Sequence, residues 1–159
     1  MAMLGVVHSG SGTSASPSFA APRIHVDTRY FPPADLALPA LAVQTTRLVD
    51  TYMLWVGTTD VDQEQIKNAP LQGCLAKDWA CAMPARETSG TPAAATPLYR
   101  SSSSEAALSM AQRLARRFKK QIFLSIDIPP TLGSMGQEGK LLLAIERAVV
   151  ETVKSHEAA

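Results

Sequence analysis

The chain reads as an α+β domain, a mostly antiparallel sheet of about six strands carrying two main helices. Three observations predict this. Apolar residues alternate with period two in several short runs, of which 24–31 is the clearest. Two longer stretches, 105–120 and 138–156, place their apolar residues at spacings of three and four instead. The connections between runs are mostly short, which favours antiparallel neighbours. A length of 159 residues suits one domain with a core of its own and leaves no room for a second.

In chain order, residues 1–23 are rich in Gly, Ser, Ala and Pro with little to bury, and are expected to form a disordered N-terminal extension. They contain no acid, but Arg23 is their single cation, so an Arg-rich transit helix cannot be drawn there. A single folded domain is expected over 24–156. Its first strand alternates Ile24, Val26, Thr28 and Tyr30 against His25, Asp27, Arg29 and Phe31, and Pro32-Pro33 stops it. The stretch 40–50 reads as a second strand, with Leu41, Val43 and Thr45 on one side. A tight turn around Asp50, whose carboxylate can bond nearby amides, then pairs it with a third. That third strand, Tyr52 to Val56, is ended by Gly57. Tyr52, Leu54 and Val56 lie on one face and Met53 and Trp55 on the other, so it has to be covered twice.

Residues 58–72 are polar and suit a surface connection with at most a short helix. The stretch 75–83 reads as a strand, 84–96 as a mobile Pro/Ala/Gly/Thr loop insertion, and 97–100 as a short strand. Ser102 with Glu105 fits a capping box ahead of a helix whose apolar face holds Ala107, Leu108, Ala111, Leu114, Ala115 and Phe118. A strand at 121–127 follows, aligning Ile122, Leu124 and Ile126. After a glycine-spaced loop at 131–139, the final helix buries Leu141, Leu142, Ile145, Ala148, Val149 and Val153.

Composition excludes several functions. A net charge of +1 gives no global pull toward nucleic acid or an acidic membrane surface. No window approaches the roughly 18 apolar residues of a membrane span. Cys74 and Cys81 are too few for a disulfide framework, which favours a reducing compartment, the cytoplasm and with it the nucleus. The run Gly133 to Lys140 resembles a phosphate-binding loop. It has Ser134 where that motif needs glycine and Leu141 where it needs a hydroxyl for magnesium. Asp60, Asp62 and Glu64 lack the glycine and distal glutamate of a calcium loop. His8, His25 and His156 are too scattered to define one site, and no serine sits in Gly-x-Ser-x-Gly. No enzyme, cofactor or metal site is expected.

Two features point to binding instead. Arg113, Arg116, Arg117, Lys119 and Lys120 gather on one helix near its negative dipole end, which suits carboxylates on a partner protein. RNA phosphates are the competing target, giving as alternative a small RNA-binding module built on helix 105–120. No interleaved aromatics accompany the cations, so protein is favoured over nucleic acid. The second feature is the doubly apolar strand. Two helices cover one face of a sheet, so either Tyr52, Leu54 and Val56 or Met53 and Trp55 are expected to meet a second protein packing sheet to sheet.

At these residues the chain resembles the proteasome assembly chaperone 4 family. The resemblance rests on Arg47-Leu-Val-Asp-Thr-Tyr-Met-Leu-Trp-Val-Gly57, Ala111-Gln-Arg-Leu-Ala-Arg116, Lys120-Gln-Ile-Phe-Leu-Ser125 and Leu142-Leu-Ala-Ile-Glu-Arg147, and covers roughly 24–155. It implies a non-enzymatic chaperone that completes its core by pairing with a related partner, assembly chaperone 3. It further implies that the heterodimer engages alpha-type subunits, the fifth in particular, while the proteasome alpha ring is built. On this view Tyr52, Met53, Leu54, Trp55 and Val56 belong to the chaperone interface, and Arg113, Arg116, Arg117 and Lys120 to the alpha-subunit interface. The Ser/Ala/Gly-rich start and the 84–96 insertion depart from the family pattern.

Overall fold

A computed structural model of the chain describes residues 24–85, 93–100, 105–134 and 136–158. The elements, in order, are β1 (His25–Phe31), β2 (Ala40–Leu48), β3 (Thr51–Thr59), a 3₁₀ helix (Gln63–Asn68) running into the short helix α1 (Ala69–Gln72), β4 (Asp78–Ala82), β5 (Ala95–Tyr99), α2 (Ala106–Phe118), β6 (Gln121–Asp127), the short helix α3 (Pro130–Ser134) and α4 (Glu138–Glu157). The expected disordered extension 1–23 and the capping residue Ser102 lie outside the described residues.

The six strands form one sheet in the order β1-β2-β3-β6-β4-β5. Short connections make β1, β2 and β3 an antiparallel meander, and β4 and β5 a second antiparallel pair. β6 inserts between the two groups, parallel to β3 and antiparallel to β4. The parallel pair is possible because the chain travels through β4, β5 and α2 before returning, which supplies the long crossover that parallel strands need.

Both long helices pack on one face of the sheet, α2 over β4 and β6, α4 over β2 and β3. The core lies between them. Leu41 and Val43 of β2, Tyr52, Leu54 and Val56 of β3, and Ile122, Leu124 and Ile126 of β6 meet Met110, Leu114, Leu141, Ile145, Val149 and Val153 of the helices. Leu54 and Leu124 are fully enclosed, so truncating either to alanine would cost about 2–5 kcal/mol.

The β2–β3 turn occupies Val49 and Asp50, with Asp50 in the left-handed region at φ 50°, a conformation that aspartate tolerates better than most residues. The charged set of β1 faces the helix layer: Arg29 bonds Ser155 at 3.1 Å and reaches Glu151 at 3.7 Å, while Asp27 approaches His156. The polar side of α4 therefore selects which set of β1 turns inward.

Several expectations are corrected. β3 passes through Gly57 to Thr59, because a glycine in a strand interrupts no ladder hydrogen bond. Helix α2 begins at Ala106 with Glu105 as its N-cap, and the predicted capping box rests on Ser102, outside the described residues. The buried carboxylate of Asp78, on β4, accepts from the Ala107 amide at 3.2 Å, a cap supplied by tertiary structure. At the other end Lys119 takes a left-handed backbone, φ 55°, and its amide returns to the Ala115 carbonyl at 3.0 Å. The loop expected over 84–96 lies partly outside the described residues. β5 starts within that range at Ala95, and Ala93 is buried with its carbonyl accepting from Gln112 at 2.8 Å.

Candidate protein-interaction surface

The strand parity of β3 divides its side chains between two environments. Tyr52, Leu54 and Val56 point into the core under the helices and are buried. Trp55 points to the opposite, open face of the sheet, yet it too is buried, at 4 % exposure. The chain's own segment 63–74 covers it: Ile66 and Ala69 pack on Trp55 and Ala42, with Tyr30 at the side. The indole Nε1 donates to the Cys74 carbonyl at 3.2 Å. Asp127, at the end of β6, holds the segment down, accepting from the Cys74 amide at 2.6 Å and pairing with Lys77 at 3.1 Å. A Cβ built on either Gly57 or Gly73 would sit 2.5 Å from the indole Cζ2, so the ring fills a slot that only two glycines leave open.

The expectation that one face of β3 requires a second protein is therefore corrected for Tyr52, Leu54, Trp55 and Val56, which this chain covers itself. The polar composition of 58–72 hid a covering role carried by Ile66 and Ala69 alone. Met53 differs. It is 38 % exposed, and the register sets it in a row with Val26 and Thr46 on one side and Phe123, Cys81 and Thr96 on the other. Leu48 and Met83 border this row and are exposed, and Trp79 beside Tyr99 continues the surface onto β4 and β5. This half of the open face sets Val26, Met53, Phe123 and Cys81 among Thr46, Thr51, Thr96 and Gln121, whose amide donates to Cys81 Sγ at 3.4 Å, and among the described residues no element packs over it. Phe123 and Trp79 were legible by alternation, since each has the opposite parity to its buried neighbours, Ile122 and Leu124 for the first and Ala80 for the second. The strand-by-strand pattern gave no reason to join them to Met53 before the strand order was known.

The cations of α2 separate into two groups. Arg113 is committed to α4, with Nε and Nη2 each 2.9 Å from a carboxylate oxygen of Glu146, a two-pronged pair that stitches the helices together. That bond holds the Glu146 carboxyl below the ordinary carboxylate range. Lys120 is also engaged, 3.6 Å from Asp50 and 3.8 Å from Glu157, with its ammonium above the Tyr52 ring at 5.9 Å. Arg116 and Arg117 are exposed and, like Lys119, make no ion pair among the described residues; Arg117 lies over the Phe118 ring at 5.7 Å. Of the four cations proposed from sequence to meet an alpha subunit, Arg113 and Lys120 are thus held in ion pairs within the fold, while Arg116 and Arg117 make none among the described residues.

Where α4 ends, titratable groups crowd β3. The Tyr52 hydroxyl bonds Glu157, and burial together with that carboxylate pushes the phenol up to about 12. His156 stacks on Tyr52 at 6.5 Å between ring centroids, and burial pushes the imidazole below its ordinary value. Among the described residues no group of three or more His, Cys, Asp or Glu is placed to hold a metal ion, and no helix is long and apolar enough to cross a membrane.

The family model for proteasome assembly chaperone 4 matches residues 40–128, the stretch from the start of β2 through β6 and more than half of the chain. Among solved structures, the chain is similar to one in the crystal structure of a novel chaperone complex for yeast 20S proteasome assembly. The identity is 16 %, the match covers 83 % of this chain and 96 % of that one, and the TM-score is 0.53. At that identity the likeness concerns the fold. No curated protein matches the chain in sequence. The resemblance drawn from the β3 and α2 motifs and the matched span agree, and the chain belongs to the proteasome assembly chaperone 4 family.

Proposed function

We propose that this chain is one subunit of a heterodimeric proteasome assembly chaperone, pairing with an assembly chaperone 3 relative through the uncovered half of its sheet. The observation that carries the reading is the apolar row through Met53, Phe123 and Cys81, left open by a chain of an assembly-chaperone family. A second sheet stacked about 10 Å away would bury it. The helix layer stays exposed in such a pair. Arg116 and Arg117, exposed and without an ion pair among the described residues, are then available to carboxylates of an alpha-type subunit, the fifth being the expected one. Action is by binding alone: contacts made only in an assembly intermediate favour one order of subunit addition. The setting is the cytoplasm and nucleus.

The test is co-expression with an assembly chaperone 3 relative from the same source, followed by size-exclusion chromatography with mass determination. A one-to-one complex is expected. Met53→Glu and Phe123→Glu each place a charge at the centre of the stacked sheets and are expected to weaken pairing by about 100-fold or more, in the range of interface hot spots. Far-UV circular dichroism of the isolated variants should be unchanged, because both side chains lie outside the core under the helices. A wild-type chain that stays monomeric beside that partner would sink the assignment.

A further inference from the structure

The open face of the sheet is divided, and the division has a direction. At the C-terminal ends of β3 and β6 the segment 63–74 lies on Ala42 and Trp55 and is tied to Asp127. At their N-terminal ends Met53 is exposed and Phe123 half-buried, with no described element packed over them. A helical segment laid flat on a sheet is about 10 Å thick, which equals the spacing at which a second sheet packs. The segment therefore stands as high as an incoming partner layer. A partner sheet cannot pass over it without tearing out Ile66 and the Trp55 to Cys74 hydrogen bond. It is fixed at Cys74 through the indole and the Asp127 carboxylate and along its length by Ile66 and Ala69 packed on Trp55, so it is not a loose flap.

Resting on the pairing proposed above, we infer that segment 63–74 is a built-in stop that confines the partner's sheet to the N-terminal half of β3 and β6 and itself remains outside the interface. The fitting partner is a protein sheet with an apolar face that lies along the row of Val26, Met53, Phe123 and Cys81, bordered by Leu48 and Met83. A partner centred on the Trp55 end of β3 would collide with the stop. The device acts on specificity: it removes Trp55 from the sticky surface and admits only partners whose apolar patch matches the shortened one.

The two cysteines of the chain report on the two halves. Cys81 lies half-buried in the free row, while Cys74 is exposed at the end of the stop. The experiment measures labelling of each by a maleimide, read by peptide mass spectrometry, on the full chain alone and with its assembly chaperone 3 partner at about ten times the Kd. Expected is a fall of about tenfold in the Cys81 rate, the free fraction left at that excess, with the Cys74 rate unchanged. Shielding of both thiols in a formed complex would overturn the stop and keep the proposed face. A complex in which Cys81 keeps its free rate, whatever happens at Cys74, would overturn the stop and the proposed face together.

Discussion

Gly57→Ala tests the packing that hides Trp55. The new methyl carbon would lie 2.5 Å from Cζ2, 2.8 Å from Cη2 and 3.3 Å from Cε2 of the indole, all closer than ordinary carbon contact. The ring cannot retreat, because the backbone at Gly73 already closes the other side, where a Cβ would likewise meet Cζ2 at 2.5 Å. Overpacking of this kind costs about 1–3 kcal/mol, and each kcal/mol is worth roughly 2–4 °C in Tm for a chain of this size. In a Trp55→Phe background the six-membered ring of the indole is gone. The same Gly57→Ala change should then be neutral or stabilising by about 0.5–1 kcal/mol, since alanine restricts the unfolded chain more than glycine. The assay is urea unfolding of the four chains of this double-mutant cycle, followed by circular dichroism. The coupling energy expected is therefore about 1–3 kcal/mol or slightly more. A Gly57→Ala cost that is the same in both backgrounds would refute the slot and return Trp55 to the list of residues free to meet a partner.

Asp78→Ala removes the carboxylate that caps α2 and leaves the Ala107 amide buried without its acceptor; a loss of about 1–2 kcal/mol is expected in the same unfolding assay, with Asp78→Asn largely restoring it. Arg113→Ala should cost no more than about 1 kcal/mol, because its pair with Glu146 is half-exposed, and that cost should shrink as salt is raised, whereas Arg116→Ala should leave stability unchanged. If the basic helix served RNA instead, the chain would show salt-sensitive RNA retention lost in an Arg113, Arg116 and Arg117 triple variant, and no retention at low salt is expected. Stability should also depend on pH at both ends. His156 and Glu146 titrate lower folded than unfolded, so the unfolded chain takes protons first. Their contribution is complete above the imidazole's ordinary value of 6.5 and falls in two steps as pH drops through 6.5 and then through the carboxylate's 4.5 toward the folded values. Tyr52 has the opposite sign: unfolded, it ionises from 10.0, so stability falls as pH rises from there to about 12. Melting curves across pH should show a loss at each end, and Tyr52→Phe should remove the alkaline one.

The sequence by itself determined what local pattern and composition control. Period-two runs placed the strands, the stripes of α2 and α4 placed the helices, and the motifs around Leu54 and Leu114 pointed to the family. Alternation also assigned the two sides of β3 correctly. It could not tell what lay over each side, because cover depends on residues distant in the chain. The polar stretch 58–72 looked like a connection, and only its return over the sheet turned Ile66 and Ala69 into the lid on Trp55. The same limit applied to α2. The spacing of its cations was legible, but the engagement of Arg113 and Lys120 was decided by Glu146 and Glu157 on another helix, and its cap by a carboxylate on β4. The candidate surface itself is a tertiary product. Met53, Phe123, Cys81 and Trp79 come from three strands whose adjacency follows from the insertion of β6 between β3 and β4. No local signal encodes that insertion, because it is set by which apolar faces the two helices can cover together.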